Sequence, residues 1–331
     1  MKSLYIHVPF CKAKCGYCDF VSYPEGLDLI DKYLIALERE MQLYRGMKLS
    51  TIFIGGGTPS LLSVTQLDKL IKLIKNNFDL TSLLEFTLEA NPESLTLEKI
   101  AKLNIVNRFS LGLQAFDNNI LKKIGRLHTF ERFQQVFAYL SDCQKDINID
   151  LIVGFKDYPY FLRELNMFLK NEGHKITHLS LYMLDNYSTA EDQVETYLES
   201  VRIIKNYGFL HYEISNFAKK GKECKHNLVY WNRGEYLGLG PSACSFLKER
   251  RYKNANKLAD YFNGKQEVEE LSNEQVELEK KMLNMRLLDK GIPYQKKYDF
   301  WIQKGYLKTK VKNVVLTDLG IPFFNQIFLE L

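Results

Sequence analysis

Apolar and β-branched residues recur along the chain in short runs: Leu4–Val8, Thr51–Ile54, Leu84–Leu88, Arg108–Leu113, Ile147–Val153 and His178–Met183. Between them lie longer stretches in which apolar residues return every three or four positions. Leu27–Arg45 is the clearest, with Leu29, Tyr33, Leu37 and Met41 at spacing four; Thr65–Asn77, Thr96–Leu103, Thr129–Leu140, Tyr160–Asn171 and Ala190–Tyr207 follow the same rhythm. The short runs predict strands and the longer ones amphipathic helices. Strand followed by helix, six times over, predicts a parallel sheet of right-handed βαβ units. Six units fall short of the eight that close a barrel. The expected α/β fold is therefore a partial, TIM-like (β/α)6 open barrel, with its chemistry at the carboxyl ends of the strands.

The pattern changes after Phe246. Leu271–Leu288 reads as a charged helix, Gly305–Leu307 and Val314–Leu316 as the arms of a small hairpin, and Ile321–Leu331 as a closing apolar helix. This predicts a small C-terminal α+β module of winged-helix type, and a division of the chain into a barrel domain, 1–245, and the module, 246–331.

Composition narrows the class. The 331 residues are 46% hydrophobic and 26% charged, which excludes a disordered chain, a collagen and a simple coiled coil. Forty-five Lys and Arg against 40 Asp and Glu leave a net charge of +5, scattered rather than gathered in a stripe. No nucleic-acid partner is expected on that basis, and the Lys-rich stretches Lys248–Lys257 and Lys296–Lys312 read as solvated faces. No run approaches the ~20 apolar residues that cross a bilayer, and the first residues do not pattern as a signal peptide. A cytoplasmic, reducing location is expected, in which the six Cys are not three disulfides.

Three of those Cys crowd into eight residues. Cys11, Cys15 and Cys18 form C-x3-C-x2-C directly after the first predicted strand, with Pro9 stiffening the approach and Gly16 permitting a tight loop. Soft thiolates suit iron–sulfur clusters and zinc. A structural zinc would need a fourth ligand, from His7, Asp19 or farther away, whereas three thiolates can hold three irons of a cubane and leave the fourth iron open. Cys143 and Cys244 read as small buried hydrophobes, and His128, His174, His178 and His211 lack ligand spacing. Gly55-Gly56-Gly57-Thr58-Pro59 follows the second strand and bares its backbone; it is no P-loop, since no Gly-Lys-Ser/Thr follows.

The three-Cys spacing resembles the radical S-adenosylmethionine (SAM) superfamily. The resemblance implies a [4Fe–4S] cluster on Cys11, Cys15 and Cys18, with SAM bound at the open iron and cleaved on one-electron reduction. It further implies SAM contacts from Tyr5, the backbone at Tyr17, the glycine motif Gly55, Gly56, Gly57 with Thr58, Glu89 in Glu89-Ala90-Asn91-Pro92, Gln114, Arg126 and Asp150. Acids, an amide and a guanidinium are complementary to the hydroxyls, ammonium and carboxylate of SAM. Singly, each would read as a surface charge or a strand-end hydrogen bonder.

Nearly the whole chain resembles the oxygen-independent coproporphyrinogen III oxidase group. True oxidases there carry a fourth Cys, where this chain has Phe20; Cys-x-Phe is typical of the HemW branch of haem chaperones. His226-Asn227-Leu228-Val229-Tyr230-Trp231 is similar to that branch's H-N-x-x-Y-W motif, which implies haem contact by His226, Asn227, Tyr230 and Trp231, with Cys224 as a further candidate. Read from the residues alone, His226 is a structural hydrogen bonder and the aromatics are core. The resemblance implies cluster, SAM and haem as cofactors, a haem-accepting partner such as a respiratory haemoprotein, and peripheral association with its membrane. It leaves open whether SAM is turned over. The rivals are the oxidase itself, a radical methylase and a zinc-stabilised scaffold.

Overall fold

The computed structural model describes residues 2–183 and 190–330. In chain order the elements are β1 (Lys2–Val8), α1 (Ile30–Gln42), β2 (Leu49–Gly56), α2 (Val64–Asn77), β3 (Glu85–Ala90), α3 (Leu97–Lys102), β4 (Arg108–Gln114), α4 (Asn118–Lys123), α5 (Phe130–Asp142) and β5 (Asp146–Val153). Then come α6 (Phe161–Glu172), β6 (His178–Met183), α7 (Ala190–Asn206), β7 (Leu210–Glu213), β8 (Asn216–Ala218) and α8 (Lys225–Trp231). The chain continues through β9 (Tyr236–Leu239), β10 (Cys244–Leu247), β11 (Arg250–Asn254), α9 (Leu258–Phe262), β12 (Gln266–Glu270) and α10 (Asn273–Arg286). It ends with β13 (Ile292–Pro293), α11 (Asp299–Gln303), β14 (Leu307–Lys310), β15 (Asn313–Leu316) and α12 (Phe324–Leu329).

All six predicted strands are present, and so are the six predicted helices between and after them. Several ends differ. The first helix opens with a 3-10 turn at Leu27–Leu29 and closes at Gln42, before Arg45. The last is split into a 3-10 turn, Ile321–Phe323, and the short α12; Leu331 lies outside the described residues. Helix starts follow local chemistry: Ser63 and Ser272 build capping boxes with Gln66 and Gln275, and Thr96, Asp117 and Thr129 cap α3, α4 and α5.

The chain forms two compact units. One comprises Met1–Asp150 and Gly234–Glu270, the other Leu151–Arg233 and Leu271–Leu331. These limits cut the chain differently from the expected step between 245 and 246. The reason is strand pairing: β10, β11 and β12 join β9 in one antiparallel run, so residues on both sides of 245 belong together.

In the first unit the strand order is β12-β11-β10-β9-β1-β2-β3-β4-β5. β1 pairs parallel with β2 on one edge and with β9 on the other, and β2-β3-β4 continue in parallel. Every residue of β4 is buried, as expected of a parallel strand covered on both faces. Because β9 occupies the outer edge of β1, the barrel stays open. The second unit begins within β5 and follows the order β5-β6-β8-β7, β8 being antiparallel to β6. It also holds the three-stranded antiparallel sheet β13-β15-β14 with α10 and α11 packed on it, followed by α12.

Two cysteines depart from expectation. Cys143 caps α5 and Cys244 opens β10, and both are exposed, since each sits where its element ends or begins.

Within the first unit, Glu40 of α1 is half-buried and accepts hydrogen bonds from Gly240 N–H (2.9 Å), Asn254 Nδ2 (2.6 Å) and the Tyr261 hydroxyl (2.7 Å). One carboxylate thus fastens α1 to the β9–β12 extension. Glu40→Ala strands three donors and is expected to cost about 3 kcal/mol, and Tyr261→Phe about 1 kcal/mol; urea denaturation midpoints measure both.

Candidate functional site

The loop after β1 carries Cys11, Cys15 and Cys18, all free and half-buried. It rests on the end of α4: Gly16 N–H donates to the Ile124 carbonyl (3.3 Å), and Cys15 Sγ lies 3.7 Å from the Gly125 carbonyl. Cys18 N–H closes a turn on Cys15 (3.2 Å), and Cys11 Sγ lies 3.4 Å from Thr58 Oγ1. Among the described residues no three His, Cys, Asp or Glu side chains converge in metal-holding geometry. The thiols of Cys11 and Cys15 engage Thr58 and Gly125 instead.

Beside this loop, Gly55–Gly57 form a surface that only hydrogen fits. A Cβ would stand 2.7 Å from Glu89 Oε2 at Gly55, 2.5 Å from the His7 ring at Gly56, and 2.7 Å from the Phe10 carbonyl at Gly57. Gly56 also adopts φ +105°, and its N–H donates to Glu89 Oε2 at 3.0 Å. His7 is a buried strand-end histidine. Its Nε2 donates to the Val21 carbonyl (2.8 Å), so Nδ1 is bare and accepts from the Tyr5 hydroxyl (2.9 Å). Burial lowers the His7 pKa, consistent with the neutral ring.

Two acids influence each other across β4: Glu89 near the end of β3 and Asp150 of β5. The Glu89 carboxyl is pushed up to about 8, first by burial and second by the charge of Asp150. Asp150 accepts from Ser110 Oγ (3.0 Å) and Asn148 Nδ2 (2.8 Å). Gln114 ends β4 buried and at φ +71°, a strained conformation for a residue with a Cβ. Arg126 donates through one terminal nitrogen to Asn91 Oδ1 (2.6 Å) and the Gly112 carbonyl (2.8 Å), and through the other to the Tyr17 hydroxyl (3.4 Å). Its buried Nε finds no acceptor among the described residues.

Asn91, to which no role was assigned from sequence, joins these groups: its Nδ2 donates to Thr58 Oγ1 at 3.1 Å. A polar line therefore runs Cys11–Thr58–Asn91–Arg126–Tyr17. The available signal was the segment Glu89-Ala90-Asn91-Pro92, in which only the acid was read. The donor set suits the groups that the motif implies. Clustered thiols suit iron–sulfur chemistry, a raised carboxyl beside a second acid favours a bound cation, and an unpartnered guanidinium N–H suits a carboxylate.

In the second unit, α8 carries His226–Trp231. His226 is fully buried and its Nε2 meets the Tyr230 hydroxyl at 2.7 Å, one turn along the same helix. Cys224, also fully buried, precedes the helix, and its N–H donates to the Tyr212 hydroxyl (3.3 Å). Asn227 and Trp231 are half-buried. The Arg286 guanidinium stacks over the Trp231 ring at 4.2 Å. His226 and Tyr230 thus pair with each other, as the structural reading of the histidine anticipated.

Comparison with known proteins agrees with this architecture. The Radical SAM superfamily model matches residues 5–165, so the chain carries a radical SAM domain. A Heme chaperone HemW of Buchnera aphidicola subsp. Schizaphis graminum is 33% identical over 99% of this chain and 98% of its own length. One of Lactococcus lactis subsp. lactis is 34% identical over 98% and 96%. The chain belongs to the HemW family. Among solved structures, Escherichia coli coproporphyrinogen III oxidase (HemN), a radical SAM enzyme, has a TM-score of 0.82, covering 99% of this chain and 89% of its own at 20% identity, a likeness of fold. Membership of the superfamily implies a [4Fe–4S] cluster and SAM. No described helix is long and apolar enough to cross a membrane.

Two outcomes follow. Native Glu89 holds a proton that the unfolded chain releases near 4.5, so its contribution to stability is complete below that pH and is lost as pH rises through about 8. Glu89→Gln is expected to shrink the fall in urea midpoint between pH 5 and pH 8.5. Gly56→Ala, strained in φ and driven into His7, is expected to cost about 2 kcal/mol or more, read from the same denaturation curves.

Proposed function

We propose that the chain is a haem chaperone: it binds a [4Fe–4S] cluster, SAM and haem, and passes haem to an acceptor haemoprotein. The near full-length likeness to proteins named heme chaperones carries this reading. Phe20, 61% exposed where the oxidases have a fourth Cys, supports it against coproporphyrinogen oxidation. Cys11, Cys15 and Cys18 would hold the cluster, which supplies one-electron reducing chemistry to SAM. Around it, Gly55–Gly57 bring side-chain-free backbone up against the loop, and the Tyr5–His7 pair is locked by Val21. Glu89 and Asp150 offer carboxylates to hydroxyls or an ammonium, Gln114 an amide, and Arg126 one free N–H. His226, Asn227, Tyr230 and Trp231, with Cys224, would contact haem. Six free thiols suit a reducing, cytoplasmic setting, and the acceptor in this reading sits at a respiratory membrane.

Anaerobic reconstitution tests the reading. Wild-type protein is expected to take up iron, acid-labile sulfide and haem, and Cys15→Ala to lose iron and sulfide while keeping haem. Release of carbon dioxide from coproporphyrinogen III with reductant and SAM would favour the oxidase instead. If His226 ligates haem, Tyr230→Phe removes the hydroxyl that competes for its Nε2 and tightens haem binding several-fold in a spectroscopic titration; unchanged affinity in Tyr230→Phe and His226→Ala would remove His226 as a ligand.

A further inference from the structure

The second unit contains a cavity of about 240 Å³ at the carboxyl end of β6. Tyr182 and Met183 of the strand, Tyr197 of α7, Ile321 and Phe324 near the C-terminus and Arg286 of α10 line it. Its walls are mixed, Ser215 and Asn325 standing beside the aliphatic and aromatic side chains, and Arg286 is its cationic side chain among the described residues. That arginine is held from two directions. Its guanidinium lies over the Trp231 ring at 4.2 Å, and one terminal nitrogen reaches Glu213 Oε2 at 3.3 Å.

Glu213 does not consume the arginine. It is fully buried, and its other oxygen accepts from Ser215 N–H (3.0 Å) and from the Asn216 side chain. The contact with Arg286 is a single long one rather than a bidentate fork. Two buried N–H donors then stay without an acceptor among the described residues: Arg286 Nε and Trp231 Nε1. Buried donors are almost always satisfied, so a pair of orphans in stacked side chains, one of them lining a cavity, points to an acceptor brought by a ligand. A cavity that sets apolar and aromatic walls beside a few polar groups can seat an amphipathic ligand edge.

We infer that this cavity seats a carboxylate-bearing edge of haem, with a propionate accepting from Arg286 and the adjoining ring edge packed against Tyr182, Met183 and Phe324. The inference rests on the haem reading above and gives Trp231 a definite part: it orients the guanidinium. A volume of 240 Å³ holds an edge of the macrocycle and its side chain, not the whole ring.

The test compares haem with its dimethyl ester, which keeps the ring and the iron but removes both negative charges. Affinities for the wild-type protein and its variants are read by absorbance titration. Arg286→Gln alone strands the buried Glu213 carboxylate, so the Glu213→Gln/Arg286→Gln double variant is used beside it, with circular dichroism to verify folding. Wild-type protein is expected to prefer the free acid by about tenfold or more, the scale of one charge-assisted hydrogen bond. The double variant is expected to bind both forms equally, near the affinity of wild-type protein for the ester. Phe324→Ala is expected to weaken both forms alike. Equal affinity of wild-type protein for acid and ester, or a preference that survives in the double variant, overturns the subsite while the haem reading stands. Failure of wild-type protein to bind either form overturns both.

Discussion

The two-sided pairing of β1 is the constraint from which the site follows. Paired parallel to β2 and to β9, this strand cannot shift in register without breaking both ladders. Its end therefore delivers the cysteine loop to one place, beside the glycine turn that ends β2. Gly57 N–H bonds back to the Val8 carbonyl at 2.8 Å and Thr58 N–H to the Phe10 carbonyl at 2.7 Å, so loop and turn are stitched to each other. The absence of side chains at Gly55–Gly57 is what lets Glu89 and His7 close on that turn from either side.

Electrostatics then divides the site. On one side, burial and mutual repulsion work against ionisation of Glu89 beside Asp150. On the other, Arg126 keeps its charge against burial through the influence of Tyr17, Glu93 and Cys15. A zwitterionic ligand with an additional cation can answer both halves at once, which a simple metal ion cannot. Asn91 connects the arginine to Thr58 and so to the first cysteine, making the halves one hydrogen-bonded system.

The H-N-x-x-Y-W segment works differently. On a single helical turn the buried His226 and the half-buried Tyr230 share one face and hydrogen-bond to each other, while Trp231 packs against Arg286. The motif is thus also a packing unit, and any part it takes in haem contact must reckon with that internal bond.

Much of this was readable in the chain before folding was considered. Hydrophobic periodicity is a local property, and it placed β1 to β6 and the helices among them; the cysteine spacing and the Gly55–Gly57 turn are local too, and they marked the rim. The strands β7 to β12 were missed because each is short, because β11 and β12 are heavily charged (Arg250–Asn254 against Gln266–Glu270), and because they are held by cross-strand partners that periodicity does not see. The same holds for Glu40, an ordinary helix acid until Gly240, Asn254 and Tyr261 surround it, and for Asn91, whose partners lie 33 and 35 residues away. Residue type and spacing declared which chemistry the chain can carry. Only the tertiary structure decided which side chains are buried together, because burial and long-range hydrogen bonding depend on neighbours that are distant in sequence.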